Sequence, residues 1–111
     1  MSAALIARLR KAREFGIEAG GHKFTARRPT DAEAIDLREV TPLEVVRRFV
    51  VGWDLVELDV IPGGGPDAVP FDAALWSEWI VDQPQLWTDL AIPILDAFKR
   101  HVDAREVAEK N

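Results

Sequence analysis

The chain has 111 residues and no cysteine, with 48% apolar and 30% charged residues, which suits one domain with a modest core and excludes disulfides, thiolate metal sites and thiol catalysis. No apolar run approaches the roughly 18 to 20 residues that cross a bilayer, and charge interrupts Leu5-Ile6-Ala7-Arg8-Leu9-Arg10 too early for a secretory signal, so the expected compartment is the cytoplasm. Residues 1–48 hold ten Lys or Arg against seven Asp or Glu, and residues 49–111 hold four against twelve, so the two parts carry +3 and −8. Such an acidic second part repels phosphate backbones, and the basic excess before it is too small and scattered for a nucleic-acid footprint.

In residues 1–12, Leu5, Ile6 and Leu9 fall at helical spacing with Arg8, Arg10 and Lys11 between them. A short helix with a fraying start is expected. Arg13-Glu14-Phe15-Gly16-Ile17-Glu18-Ala19 then alternates, as does His22-Lys23-Phe24-Thr25-Ala26-Arg27-Arg28, with Gly20-Gly21 between them. A two-residue turn at the glycines makes each cross-strand pair sum to 41. Ile17 then faces Phe24 and Phe15 faces Ala26 on one side, while Glu18 faces Lys23 and Glu14 faces Arg27 on the other. A slip of one residue would spoil both faces. A two-stranded unit needs cover, so its apolar face is expected to lie on helices.

Thr30 with Glu33 forms a capping-box pattern, and Thr41-Pro42-Leu43-Glu44 repeats the helix-start signal with proline at the first position. The second of these helices places Leu43, Val46 and Val50 on one side, beside Phe49, and should stop near Gly52. Trp53 to Ile61 fits a strand through Leu55, Val56, Leu58, Val60 and Ile61, and fits a short helix equally well through Asp54, Glu57 and Asp59. Pro62-Gly63-Gly64-Gly65-Pro66-Asp67 reads as a loop. Asp72 is a candidate cap for a helix through Asp82 with Leu75, Trp76, Trp79 and Ile80 on a broad apolar face. The last helix starts at Pro84 and runs through Trp87, Leu90, Ala91, Ile94, Phe98, His101 and Val102. Pro93 inside it should kink or break it, because proline lacks an amide donor and crowds the carbonyl of Asp89. Residues 103–111 read as a mobile end. The expected architecture is a single α+β domain, an N-terminal β-hairpin packed on four or five short helices.

Catalytic and cofactor patterns are weak. Ser77 sits in the helical context Trp76-Ser77-Glu78-Trp79, without the strained turn that exposes a hydrolase nucleophile. His22 and His101 share no metal-ligand spacing, and His101 with Asp103 or Glu106 would make a poor divalent site beside the plainer role of a helix-end histidine. Gly63-Gly64-Gly65 lacks the Lys-Ser or Lys-Thr of a phosphate loop. The chain therefore reads as an interaction protein and not an enzyme, with no cofactor, no metal and no membrane or nucleic-acid partner. Four tryptophans are many for this length, and Trp76, Trp79 and Trp87 share a twelve-residue window. They suit either the core of a helix pair or, since tryptophan is a frequent interface anchor, a partner-binding groove. Trp76, Trp79 and Trp87 with Leu90 and Ile94 are the candidate lining of such a groove.

The order of these blocks resembles a family. A hairpin closes on Lys23-Phe24-Thr25-Ala26-Arg27-Arg28-Pro29-Thr30-Asp31; Phe49-Val50-Val51-Gly52-Trp53 and Gly63-Gly64-Gly65 follow, then Val69-Pro70-Phe71-Asp72-Ala73-Ala74-Leu75-Trp76 and Asp82-Gln83-Pro84-Gln85-Leu86-Trp87. From about Arg13 onward the chain resembles the tail assembly chaperones of long-tailed bacteriophages and prophages. The resemblance implies a non-catalytic protein of the host bacterial cytoplasm that binds the long, helical tape-measure protein, keeps it soluble, and leaves before the virion is complete. A structural tail or head-completion component that stays in the particle is the alternative. Self-association is a further expectation for a protein that hides apolar surface. Relatives often make a longer form by slipping back one nucleotide, and Glu109-Lys110-Asn111 can be encoded as GAA AAA AAC, which contains a slippery heptamer, so this chain is expected to be the shorter product of such a pair.

Overall fold

Two positive-φ glycines start the sheet. Gly20 (φ 58°) and Gly21 (φ 79°) adopt the left-handed conformation that a tight hairpin turn demands and that only glycine enters without steric cost. In the computed structural model, which describes residues 2–110, β1 (Glu14–Ala19) and β2 (His22–Arg27) pair antiparallel with Ile17 opposite Phe24 and Phe15 opposite Ala26, the register that charge and hydropathy require. Met1, at the head of the expected 1–12 segment, and Asn111, at the end of the expected tail and of the slippery-codon pattern, lie outside the described residues.

The register holds, but the expected Glu14–Arg27 ion pair gives way to another. Arg27 forms a two-pronged bond to Glu33, with Nη1 donating to Oε1 at 2.7 Å and Nη2 to Oε2 at 2.8 Å. Its guanidinium also lies 4.7 Å from the centre of the Phe49 ring. Glu33 reaches Arg27 because it is already fixed by the capping box of α2 (Asp31–Ala34), whose Thr30 side chain accepts from the Glu33 amide while Glu33 accepts from the Thr30 amide. A fork-shaped donor facing a pre-positioned carboxylate wins over a flexible exposed one.

The helix α3 (Pro42–Phe49) starts as read, with Thr41 Oγ1 accepting from Glu44 N at 3.2 Å and proline in the first turn. It ends at Phe49, earlier than the expected stop near Gly52. Val50–Trp53 instead forms β3, antiparallel to β2, giving the sheet order β1-β2-β3. The open edge of β2 explains the switch: β-branched Val50, with Gly52 and Trp53 after it, pairs along that edge, which another helical turn would forgo. The β2–β3 register shifts between Thr25 and Ala26, which leaves Val51 as the extra residue of a bulge.

One face of this sheet packs on α3, on α5 (Ala73–Ile80) and on α6 (Pro84–Lys110). Phe24, Ala26, Val46, Phe49, Trp76, Ile80, Leu90 and Ile94 fill the space between them. The helix α6 is continuous through Pro93, so the expected break is absent. Leu90, Ala91 and Ile94, buried on either side of the proline, clamp the flanking turns against the core and outweigh one lost amide bond. It continues as helix through the expected tail to Lys110 and is tied to α2 where His101 Nε2 lies 3.3 Å from Asp31 Oδ1 and Arg105 pairs with the same carboxylate. Outside the core lie a 3-10 turn (Leu37–Glu39), the single turn α4 (Glu57–Val60) and α1 (Ala3–Lys11), none of which buries a residue.

Candidate functional site

Every tryptophan indole N–H among the described residues donates to a backbone carbonyl 7 to 30 residues away along the chain. Trp53 reaches Val69 at 2.7 Å, Trp76 reaches Val46 at 2.9 Å, Trp79 reaches Asp59 at 3.1 Å and Trp87 reaches Ile80 at 2.7 Å. A buried indole needs such a partner, and each bond fixes one connection between elements. Trp76 is the hub, fully enclosed, with ring centres of Phe24, Trp79, Trp53 and Phe71 at 5.6, 5.8, 6.0 and 6.5 Å.

This geometry separates the five residues expected to line one groove. Trp76, Leu90 and Ile94 are closed inside the core with 0% exposure and offer no surface. Trp79 and Trp87 are partly buried at its margin. The broad apolar face of α5 is covered on two sides: α3 and α6 lie on one, and the chain from Trp53 to Phe71 on the other.

Trp79 does border open space. Beside it lies a depression of about 360 Å³ between the α4 turn and the end of α5, lined by Leu58, Asp59, Val60, Ile61 and Pro62 on one wall and Glu78, Trp79, Asp82 and Gln83 on the other. Its wall is built from the loop upward. The Asp59 carboxylate accepts from Val56 N at 2.8 Å and starts α4. Around that turn the glycine loop wraps closely, with Leu58 N donating to Gly65 O at 3.0 Å and Gly64 N to Ile61 O at 3.1 Å. A Cβ on Gly64 would stand 2.6 Å from the Glu57 carbonyl oxygen, so the wrap needs glycine there. Leu58 and Ile61 remain 60% and 56% exposed at the rim.

The rim is acidic. Asp59, Glu78 and Asp82 line the depression and no Lys or Arg does. Glu78 lies in the last turn of α5, which has no basic residue, although a helix C-terminus favours cations by roughly 0.3–1 kcal/mol. His22 Nδ1 sits 3.3 Å from Asp54 Oδ1, and Nε2 is 3.9 Å from Asp59 Oδ1, which fastens the hairpin turn to this loop. The sequence carried a signal for this surface: between Phe49 and Phe98 there are nine Asp or Glu and no Lys or Arg. A second depression, of about 490 Å³, mixes Arg10, Arg13 and Arg27 with Glu14 and Glu33, and Arg27 and Glu33 are paired with each other.

Glu33 is the group most displaced from ordinary titration. The Arg27 guanidinium, aided by the Thr30 amide and against the cost of burial, holds its carboxyl near pH 2 (about 2 against an ordinary 4.5). Asp31 is also lowered, chiefly by its bond from Arg105. Both belong to the clasps that hold α2 in place. Among the described residues no group of three or more His, Asp or Glu is arranged to hold a metal ion, and no helix is long and apolar enough to cross a membrane.

The fold and this surface describe an α+β protein with a three-stranded sheet, an aromatic core and one acidic, apolar-walled depression. Comparison with protein-family models, curated proteins and solved structures finds no match for the chain.

Proposed function

We propose that this chain is a non-catalytic assembly chaperone that holds an amphipathic helix of a larger protein against the depression beside Trp79. The observation that carries this reading is the pairing, at one place, of exposed Leu58 and Ile61 with a rim of carboxylates that has no Lys or Arg among its lining residues. A helix with apolar residues at three- and four-residue spacing and Lys or Arg on its flanks complements both properties. Apolar contact with Leu58, Ile61 and the edge of Trp79 supplies affinity, while Glu78 and Asp82 set the orientation and reject acidic helices.

The resemblance to phage tail assembly chaperones supplies the partner: the tape-measure protein, a long helical chain that needs its apolar faces covered in the bacterial cytoplasm until the tail tube encloses it. Trp79 is then the anchor at the surface, and Trp76, Leu90 and Ile94 support it from the core. Co-expression of the chain with the tape-measure protein of the same gene cluster tests the reading. Soluble co-elution of the two, with this chain missing from purified virions, is the expected result. An insoluble tape-measure protein, or this chain retained in virions, would favour the structural-component role instead.

A further inference from the structure

The helix α1 is built as if its packing partner were missing. It has nine residues, none buried, and no side-chain cap at its start. A helix this short, about 14 Å long, is marginal in water without tertiary packing. One side carries Leu5 and Leu9, 62% and 58% exposed, with Ile6 beside them. The flanks carry Arg8, Arg10 and Lys11, and with Arg13 there are four cations and no carboxylate before Glu14.

These are the properties that the depression beside Trp79 complements. We infer that the occupant of that depression in the free protein is α1 of a second copy of the same chain, Leu5 and Leu9 lying on Leu58 and Ile61 while Arg8 and Arg10 meet Glu78 and Asp82. This rests on the depression being a helix acceptor, as proposed above. A chain's own α1 is badly placed to fill it. Only Ala12 and Arg13 separate α1 from β1, and β1 then runs five steps, about 17 Å, to the turn. His22, just past that turn, touches the Asp54–Asp59 loop. The donor helix and the acceptor surface therefore stand at opposite ends of the hairpin.

Such a contact closes at two copies when each α1 enters the other's depression about a two-fold axis, and otherwise runs head to tail into rings or filaments. The small area of a nine-residue helix places the contact among weak, reversible interfaces. A client helix competes for the same depression, so binding the client would disassemble the self-associated form.

Sedimentation of the full chain over a concentration series tests this, using Arg8→Glu/Arg10→Glu as the donor variant and Glu78→Lys/Asp82→Lys as the acceptor variant. All four side chains are exposed and make no ion pair among the described residues, so both variants should keep the wild-type circular dichroism. The expected result is wild-type mass that rises with concentration above that of a single copy, a weakening of roughly tenfold or more in each variant, and restored assembly when the two variants are mixed. Wild-type protein that stays monomeric, variants that assemble like wild type, or a mixture that fails to co-assemble would overturn it. So would Arg8- and Arg10-dependent binding to phosphatidylglycerol vesicles without self-association, which would assign α1 to an anionic membrane surface. Because no client is present, failure here leaves the chaperone reading to be decided by co-expression alone.

Discussion

Replacing Glu33 with glutamine removes one charge from the clasp that joins α2 to the sheet and keeps its shape. The wild-type carboxylate accepts from both Arg27 nitrogens at 2.7 and 2.8 Å and from Thr30 N at 3.0 Å. Those bonds lower its titration from an ordinary 4.5 to about 2. A displacement of that size corresponds to roughly 3 kcal/mol, and screening of a pair about a quarter exposed reduces it to about 2 kcal/mol. The folded-state value lies below the unfolded one, so the contribution is fully present above about pH 4.5 and fades as pH falls toward about 2. Urea unfolding of wild type and Glu33→Gln at several pH values reads it directly. The variant should be less stable by about 2 kcal/mol near neutral pH, and the two curves should draw together as pH falls to about 2, where the wild-type carboxyl is half protonated. A stability difference that stays constant from neutral to acid pH would refute the reasoning.

Two further outcomes follow from the packing. Trp76→Phe keeps an aromatic ring but loses the 2.9 Å bond to Val46 O and part of the packed volume, and should cost about 2 kcal/mol in thermal or urea unfolding; an unchanged midpoint would contradict its central place. Trp76→Ala, by contrast, should cost about 3–5 kcal/mol and endanger the fold, so it is a poor probe of binding. Gly64→Ala drives a Cβ against the Glu57 carbonyl and should destabilise by about 1–3 kcal/mol. Gly65→Ala, with open space at the same position, should be close to neutral, and equal effects of the two would refute the close-wrap account.

Much of the fold could be read from residue order because local chemistry was unambiguous there. The Gly20-Gly21 turn fixed a register that satisfies two faces at once, and Thr30, Thr41 and Asp72 cap helices where their patterns placed them. The β3 strand was not legible because Val50 and Val51 suit a helix end and a strand alike, and only the free edge of β2 decides between them. The hairpin register sets Arg27 opposite Glu14, whereas the chain fold brings Glu33 closer. For the site, tryptophan spacing along two helices does not tell Trp76, ringed by four aromatic side chains, from Trp79 at the margin. Leu58 and Ile61 lay in the segment whose period was ambiguous. Charge distribution was the better guide to that surface, because charged side chains stay at the surface whichever element carries them.

The acidic depression as a helix acceptor is tested most directly by measuring how much tape-measure protein co-purifies, in soluble form, with wild type and with Glu78→Lys/Asp82→Lys. Both substitutions lie on exposed positions away from the core, so stability should be unchanged within about 0.5 kcal/mol. The account predicts a soluble complex with the wild-type chain and its loss, by roughly tenfold or more, with the charge-reversed chain at equal expression and equal circular dichroism. A complex retained at wild-type yield by the charge-reversed chain would contradict the site, and no complex with either chain would contradict the function.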